Sequence, residues 1–145
     1  MTLTPQQIAD TSAEAMWRDD EACKGLGMVV QSVGPGTATL SMKVTADMTN
    51  GHGTCHGGFI FTLADSAFAY ACNSYNQRVV AGQAAITFIA PAFAADLLTA
   101  QATEVQLYGR SGIYDVRVTR QSGDVVAEFR GHSRTIKGTH FNEEE

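Results

Sequence analysis

The chain is poor in the residues that staple or interrupt a fold, with three prolines, one tryptophan and three cysteines among its 145 residues. Cys23, Cys55 and Cys72 form an odd set with no CxxC spacing, which excludes a disulfide framework and a zinc motif and suits a reducing compartment. Positive charge is also scarce. Ten basic against fifteen acidic residues give a net charge of -5, without any run of Lys or Arg, and this argues against nucleic acid or an anionic membrane as a partner. No basic segment followed by an apolar stretch opens the sequence, so no signal peptide is expected. The longest apolar run contains Thr62, Asp65 and Ser66 and is too short and too polar to span a bilayer. What is present is ordinary for a folded body: 44% hydrophobic and 17% charged residues, enough for one domain over 1–145 with a sizeable core. A cytoplasmic protein is expected, with no internal repeat or linker.

Thr4-Pro5-Gln6-Gln7 reads as a helix start with a capping box, and the helix should run to about Asp19 with Ala9, Ala13, Met16 and Trp17 on its buried stripe. Asp19-Asp20-Glu21 would oppose the dipole at its C-terminus, so fraying is expected there. From Leu26 the period becomes two. Leu26 to Val33, the turn Gly34-Pro35-Gly36 and Thr37 to Thr45 form a hairpin, with Ala38, Leu40, Met42 and Val44 on one face. A second helix starts at Gly57 or Gly58 and continues to about Asn76; apolar nearly all round, it should be enclosed by other structure. Val79 to Ala90, apolar on both faces and ended by Pro91, reads as a central strand. Leu97 to Leu107, Ile113 to Arg120 and Val125 to Ile136 complete a meander. The expected fold class is α+β, one antiparallel sheet of about six strands around one buried helix. Residues 138–145, ending in Glu143-Glu144-Glu145, are expected to be a flexible, solvated tail.

Asp65 is the only formally charged residue between Asp47 and Arg78, and it lies inside that apolar helix. Burying an unpaired carboxylate costs several kcal/mol, and no Lys or Arg lies three or four residues away to offset it. Immediately before the helix, Asn50-Gly51-His52-Gly53-Thr54-Cys55-His56-Gly57-Gly58 combines glycines with polar side chains. The first amides of a helix lack internal acceptors and lie at the positive end of its dipole, which suits an oxyanion. Gly57 and Asp65 are eight residues apart, about 12 Å along a helix, too far to act on one carbon. Antiparallel placement of two such helices in a two-fold dimer would bring one subunit's Asp65 to the other's loop.

Asn50-x-x-Gly53-x-x-His56-Gly57-Gly58 followed by Leu63-Ala64-Asp65 resembles the signature of hot dog fold acyl-CoA thioesterases, in particular the phenylacetic acid degradation (PaaI-type) branch. Phe88-x-x-Pro91-x-Phe93-Ala94, Gly112-x-Tyr114-Asp115 and Phe129-Arg130-Gly131 extend the likeness over about residues 15–138. The resemblance implies a long helix wrapped by an antiparallel sheet, and dimers or dimers of dimers (a homotetramer) that hydrolyse aryl-acetyl-CoA or related medium acyl-CoA in the cytoplasm during phenylacetate degradation. It further implies Asp65 as nucleophile or general base, the Gly57 amide polarising the carbonyl, and Asn50 and His56 positioning loop, water or thioester. Gly58 and Gly112 are expected to contact substrate. Coenzyme A enters as part of the substrate, and no other cofactor is expected. Where several relatives carry Ser or Thr before the central strand, this chain has Ala81.

Competing readings of the same residues are weaker. Asp65 as a purely structural carboxylate would cap another segment or pair across the dimer. Adjacent Cys55 and His56 seldom point at each other, so a Cys–His nucleophile is disfavoured. His52, His56 and Asp65 do not have metal-ligand spacing, so no metal is expected. A hydratase of this fold would need His five residues after Asp65, where Tyr70 stands. A non-catalytic acyl-CoA-binding protein remains the alternative from another class. Six of the ten basic residues fall in the last three strands; Arg110 and Lys137, at strand ends, are the candidates to hold the phosphates of coenzyme A. Phe68 and Tyr70 are expected in the core.

Overall fold

Thr4 opens the first helix, α1 (Pro5–Arg18), as the capping box predicts. Its hydroxyl accepts the Gln7 N–H at 3.1 Å and the Gln7 side chain accepts the Thr4 N–H at 2.9 Å, so two orphan donors are satisfied reciprocally. The acidic run after it does not fray. A second helix, α2 (Glu21–Gly25), begins there, and Asp20 Oδ1 accepts the Cys23 N–H at 3.1 Å. A carboxylate that would be unfavourable at the C-terminus of one helix becomes favourable as the N-cap of the next. These elements come from a computed structural model, which describes residues 2–144.

Six strands follow: β1 (Val29–Gly34), β2 (Thr37–Lys43), β3 (Val79–Phe88), β4 (Leu97–Tyr108), β5 (Ser111–Thr119) and β6 (Val125–Thr135). All pair antiparallel in one sheet, ordered β1-β2-β4-β5-β6-β3. β1 starts later than expected because Leu26 caps α2 and Gly27 turns the chain at φ 71°. Alternate residues of the strands, such as Leu40, Met42, Leu98, Ala100, Val116 and Phe129, are buried. They share one core cluster with Leu63, Ala64, Ala67, Phe68 and Ala71 of the long helix α3 (Gly57–Cys72). The result is the helix-in-sheet α+β arrangement that the patterning implies.

α3 stops four residues short of Asn76. The Asn73 side chain donates to Ala69 O at 2.8 Å and Val79 O at 3.1 Å and accepts from Val79 N at 2.9 Å, so it ends the helix by competing for backbone groups. Asn76 then takes φ 57°, a left-handed conformation that asparagine tolerates. Its buried amide also corrects the expectation of a free 138–145 tail. Asn76 Oδ1 accepts His140 N at 2.9 Å and Phe141 N at 3.1 Å, while Nδ2 donates to Phe141 O and to Glu143 Oε2. Polar residues more than 60 positions apart in sequence give no local signal of this attachment; Met1 and Glu145, the ends of the 1–145 domain expectation, lie outside the described residues.

The reading of β3 as central needs a second correction, because among the described residues β3 is an edge strand paired only with β6. Val80 and Phe88 are about half exposed, at 45% and 53%. Periodicity reports that both faces of a strand are apolar, not that the same chain covers them, and an apolar open edge is a surface prepared for covering. No helix among the described residues is long and apolar enough to cross a membrane.

One close approach locks α3 into the sheet. A Cβ added at Gly131 on β6 would lie 2.8 Å from the Phe68 ring, and Phe68 is buried. Gly131→Ala should therefore lower the unfolding free energy by about 1–3 kcal/mol through overpacking, read as a lower urea midpoint at unchanged m-value.

Candidate active site

The loop before α3 is built around Asn50. Its Oδ1 accepts His52 N at 2.9 Å and Thr54 N at 3.2 Å, and its Nδ2 donates to Thr54 Oγ1 at 2.9 Å; an asparagine side chain thus replaces a backbone turn. Cys55 N donates to Ala92 O and His56 N to Met48 O, each at 2.7 Å, which fixes the loop against the Pro91–Asp96 crossing. His56 is the N-cap of α3. Its Nδ1 accepts the Gly58 N–H at 3.1 Å, so the neutral ring carries its proton on Nε2.

Gly57 is left with the free donor. Among the described residues its N–H has no acceptor, and it sits at the positive end of the α3 dipole. A Cβ there would lie 2.9 Å from Phe88 Cζ, the outer end of a half-exposed ring, so a larger residue displaces that ring rather than the backbone. A cleft of about 460 Å³ opens beside it, bordered by Thr54, Ile60, Phe88, Ile89 and Pro91. An unpaired amide at the mouth of an apolar cleft can bind a carbonyl oxygen and stabilise the charge that develops on it.

Asp65 lies two turns along α3, half-buried, and no hydrogen bond or ion pair reaches its carboxylate from the described residues. Burial alone pushes its pKa above the usual carboxylate value, since desolvation disfavours the charged form. The eight-residue spacing keeps it about 12 Å from Gly57 within one chain. Within one chain no described residue caps or pairs with Asp65, and Asp65 and the Gly57 amide do not meet in the monomer.

Arg110 and Lys137 are at the other end of α3. Asn73, which ends α3, binds Val79; Val79 pairs with Thr135, and Ser111 pairs with Arg134, so the β4–β5 turn and the end of β6 are level with the helix C-terminus. Both cations are exposed, and Arg110 O accepts Thr135 N at 2.7 Å. Arg117, Arg120 and Arg130 are consumed by Glu128, Asp96 and Asp115. Gly112 and Gly58 are both tied into local structure. Gly112 is buried, and a Cβ there would lie 2.8 Å from Ser133 Oγ, so its small size serves strand packing. The Gly58 N–H is already held by His56.

Asp96 was not visible as a site residue in the sequence, because its partners lie 24 and 25 positions away. Its buried carboxylate accepts Gln121 Nε2 at 2.8 Å, Arg120 Nε at 2.9 Å and Phe93 N at 2.8 Å. These bonds hold the crossing that receives Cys55, including Ala95 at φ 73°. The bonds from Gln121, Arg120 and Phe93 also keep the Asp96 pKa below the usual value.

Residues 52–127 match the thioesterase superfamily, a span that runs from the glycine loop through α3 and β3 to β6, and the chain belongs to that family and has its hot dog fold. It is 46% identical over 128 residues to the acyl-coenzyme A thioesterase PaaI of Escherichia coli strain K12, covering 88% of this chain and 91% of that protein. The structure of the E. coli PaaI protein from the phenylacetic acid degradation operon superposes with a TM-score of 0.92 at 44% identity, over 94% of this chain and 99% of that one. The TT0310 protein of Thermus thermophilus follows with a TM-score of 0.78 and 38% identity, over 81% and 98% of the two chains.

Asp96 gives this region an acid sensitivity of defined sign. A depressed folded-state pKa contributes stability that is present above the unfolded value, near 3.9, and is lost as pH falls through the folded value. Asp96→Asn should cost about 1–3 kcal/mol at pH 7 and flatten the loss of stability below about pH 4, measured by urea unfolding across pH.

Proposed function

We propose that this protein is an acyl-coenzyme A thioesterase whose site is completed by a second copy of the chain. The observation that carries the reading is the pair of unsatisfied groups on one helix, the Gly57 N–H and the Asp65 carboxylate, in a chain closely similar to an acyl-CoA thioesterase. Antiparallel apposition of two α3 helices across the apolar β3 edges brings Asp65 of one subunit to the Gly57 amide of the other. The exposed Val80 and Phe88 on that edge support the dimer.

In this site the Gly57 amide holds the thioester carbonyl oxygen. One preorganised donor is worth about 3 kcal/mol at the tetrahedral stage. Asp65 either adds to the carbonyl carbon, giving an anhydride that water then opens, or removes a proton from an attacking water. In both routes the C–S bond breaks and coenzyme A leaves as the thiolate. Asn50 and His56 act on the loop: their bonds fix the amide's direction, and the His56 Nε2–H remains free for the substrate. Ala81 places no hydroxyl at the β3 bulge between Ala81 and Gln83, so water is oriented without one. Coenzyme A is substrate, and no further cofactor or metal takes part.

The acyl group is aryl-acetyl or a related medium chain, for which the cleft beside Ile60, Phe88 and Ile89 offers an apolar lining. Arg110 and Lys137, at the C-terminal end of α3, fall on the partner's loop side in an antiparallel pair and bind phosphate there. Assembly as a dimer of dimers, a cytoplasmic location and a role in phenylacetate degradation complete this reading.

A thiol-release assay on Asp65→Asn tests it. The rate should fall by about 100-fold or more, while the melting temperature should rise. The sign follows from the raised pKa: between the unfolded and folded values stability declines as pH increases, so the ionised carboxylate weakens the fold at neutral pH and its neutral isostere does not. Wild-type hydrolysis should fade as pH drops through a value above about 3.9, the ordinary Asp pKa. Equal rates for the two proteins would remove Asp65 from the chemistry. Tight acyl-CoA binding with no thiol released from any substrate would make the protein a binding module.

A further inference from the structure

α2 has only five residues, too few to be helical without external support. Lys24 ties it back to α1 through Arg18 O at 2.9 Å, and two further attachments reach α3 next to Asp65. Asp20 caps it through Oδ1 and accepts the Tyr70 hydroxyl on Oδ2 at 2.9 Å. The Cys23 thiol donates to Ser66 Oγ at 3.3 Å, and Ser66 in turn donates to Thr62 O at 2.7 Å. Ser66 and Tyr70 are four residues apart and share one face of α3; Ser66 directly follows Asp65. Tyr70 is buried, and Asp20 is the hydrogen-bond partner of its hydroxyl.

We propose that α2 is a clasped wall beside Asp65, and that Asp20, Tyr70, Cys23 and Ser66 are positioning residues that exclude bulk water from the carboxylate. Burial chiefly pushes the Cys23 thiol up to about 11, and the Asp65 charge adds to that rise, which places α2 within electrostatic reach of the carboxylate. The titratable groups facing this region are Asp20 and Cys23 from α2 and its cap, and Tyr70 and Cys72 from α3. No charged group from the sheet contributes to the Asp65 shift. With the wall loosened, water would solvate Asp65 and weaken it as a base. This inference rests on Asp65 being the catalytic carboxylate.

The test compares Tyr70→Phe, which removes one hydroxyl, with Cys23→Ser, which keeps a donor to Ser66, and Cys23→Ala, which does not. Tyr70→Phe and Cys23→Ala should lower kcat for acyl-CoA hydrolysis about tenfold with KM within about twofold. The acid limb of the kcat profile should move to lower pH, and Cys23→Ser should retain most of the wild-type kcat. A lower melting temperature with kcat and acid limb unchanged would reduce the clasp to a stability element and overturn the inference. If Tyr70→Phe does not fold, the Cys23 pair decides alone. Asp65→Asn run in parallel separates the two failures: if it hydrolyses normally the function reading falls, and if it is inactive while the clasp variants match wild type only the clasp falls.

Discussion

The structure depends on the enclosure of one apolar helix by one sheet. Most of α3 between Ile60 and Cys72 is buried against alternating residues of the strands, and burial of such apolar surface is the dominant favourable contribution to folding. The same enclosure creates the reactive groups. A helix surrounded by strands has its N-terminus held at a fixed place, where the Gly57 amide finds no acceptor among the described residues, and a carboxylate on it is partly withdrawn from water. Asp65 and Gly57 are therefore two consequences of one architectural choice, and the fold stores them about 12 Å apart.

Neither group is at rest in the monomer. An unpaired, half-buried carboxylate and an unpaired amide at a helix start both cost stability, as does the half-exposed Phe88 beside Gly57. Each becomes useful if the β3 edge is covered by an identical edge, because the proposed two-fold operation would bury Val80 and Phe88 and also carry Asp65 toward a foreign amide. The supports around the site are long-range: Asp96 holds the crossing that receives Cys55, and Asp20 holds Tyr70.

Elements whose signal is local were legible in the sequence. The Thr4–Gln7 capping box, the meander β4–β5–β6 and the enclosed helix all follow from spacing and periodicity, and the glycine loop with Asp65 points to an oxyanion-suited amide and a lone carboxylate, to which the family resemblance adds acyl transfer. What was not legible depends on partners distant in sequence. Asp20 reads as an unfavourable charge after α1 until the next helix is seen to start on it. Asn73 and Asn76 look like helix continuation until Val79 and residues 140–143 are found to bind them. The packing of Gly112 against Ser133 has no local signal either. β3 reads as central because its composition is that of a covered strand, and composition does not say which chain provides the cover.

The most direct test of a shared site is complementation between two inactive variants. Asp65→Asn removes the carboxylate, and Gly57→Pro removes the amide at a helix position where proline is tolerated. If the site is shared, a mixed dimer holds one site with both lesions and one with neither. Random reassortment from equal amounts then restores about a quarter of wild-type thiol release. Mixed dimers present by native mass spectrometry, with activity no greater than that of the separate variants, would place Asp65 and Gly57 in the same chain's site and contradict the shared-site mechanism.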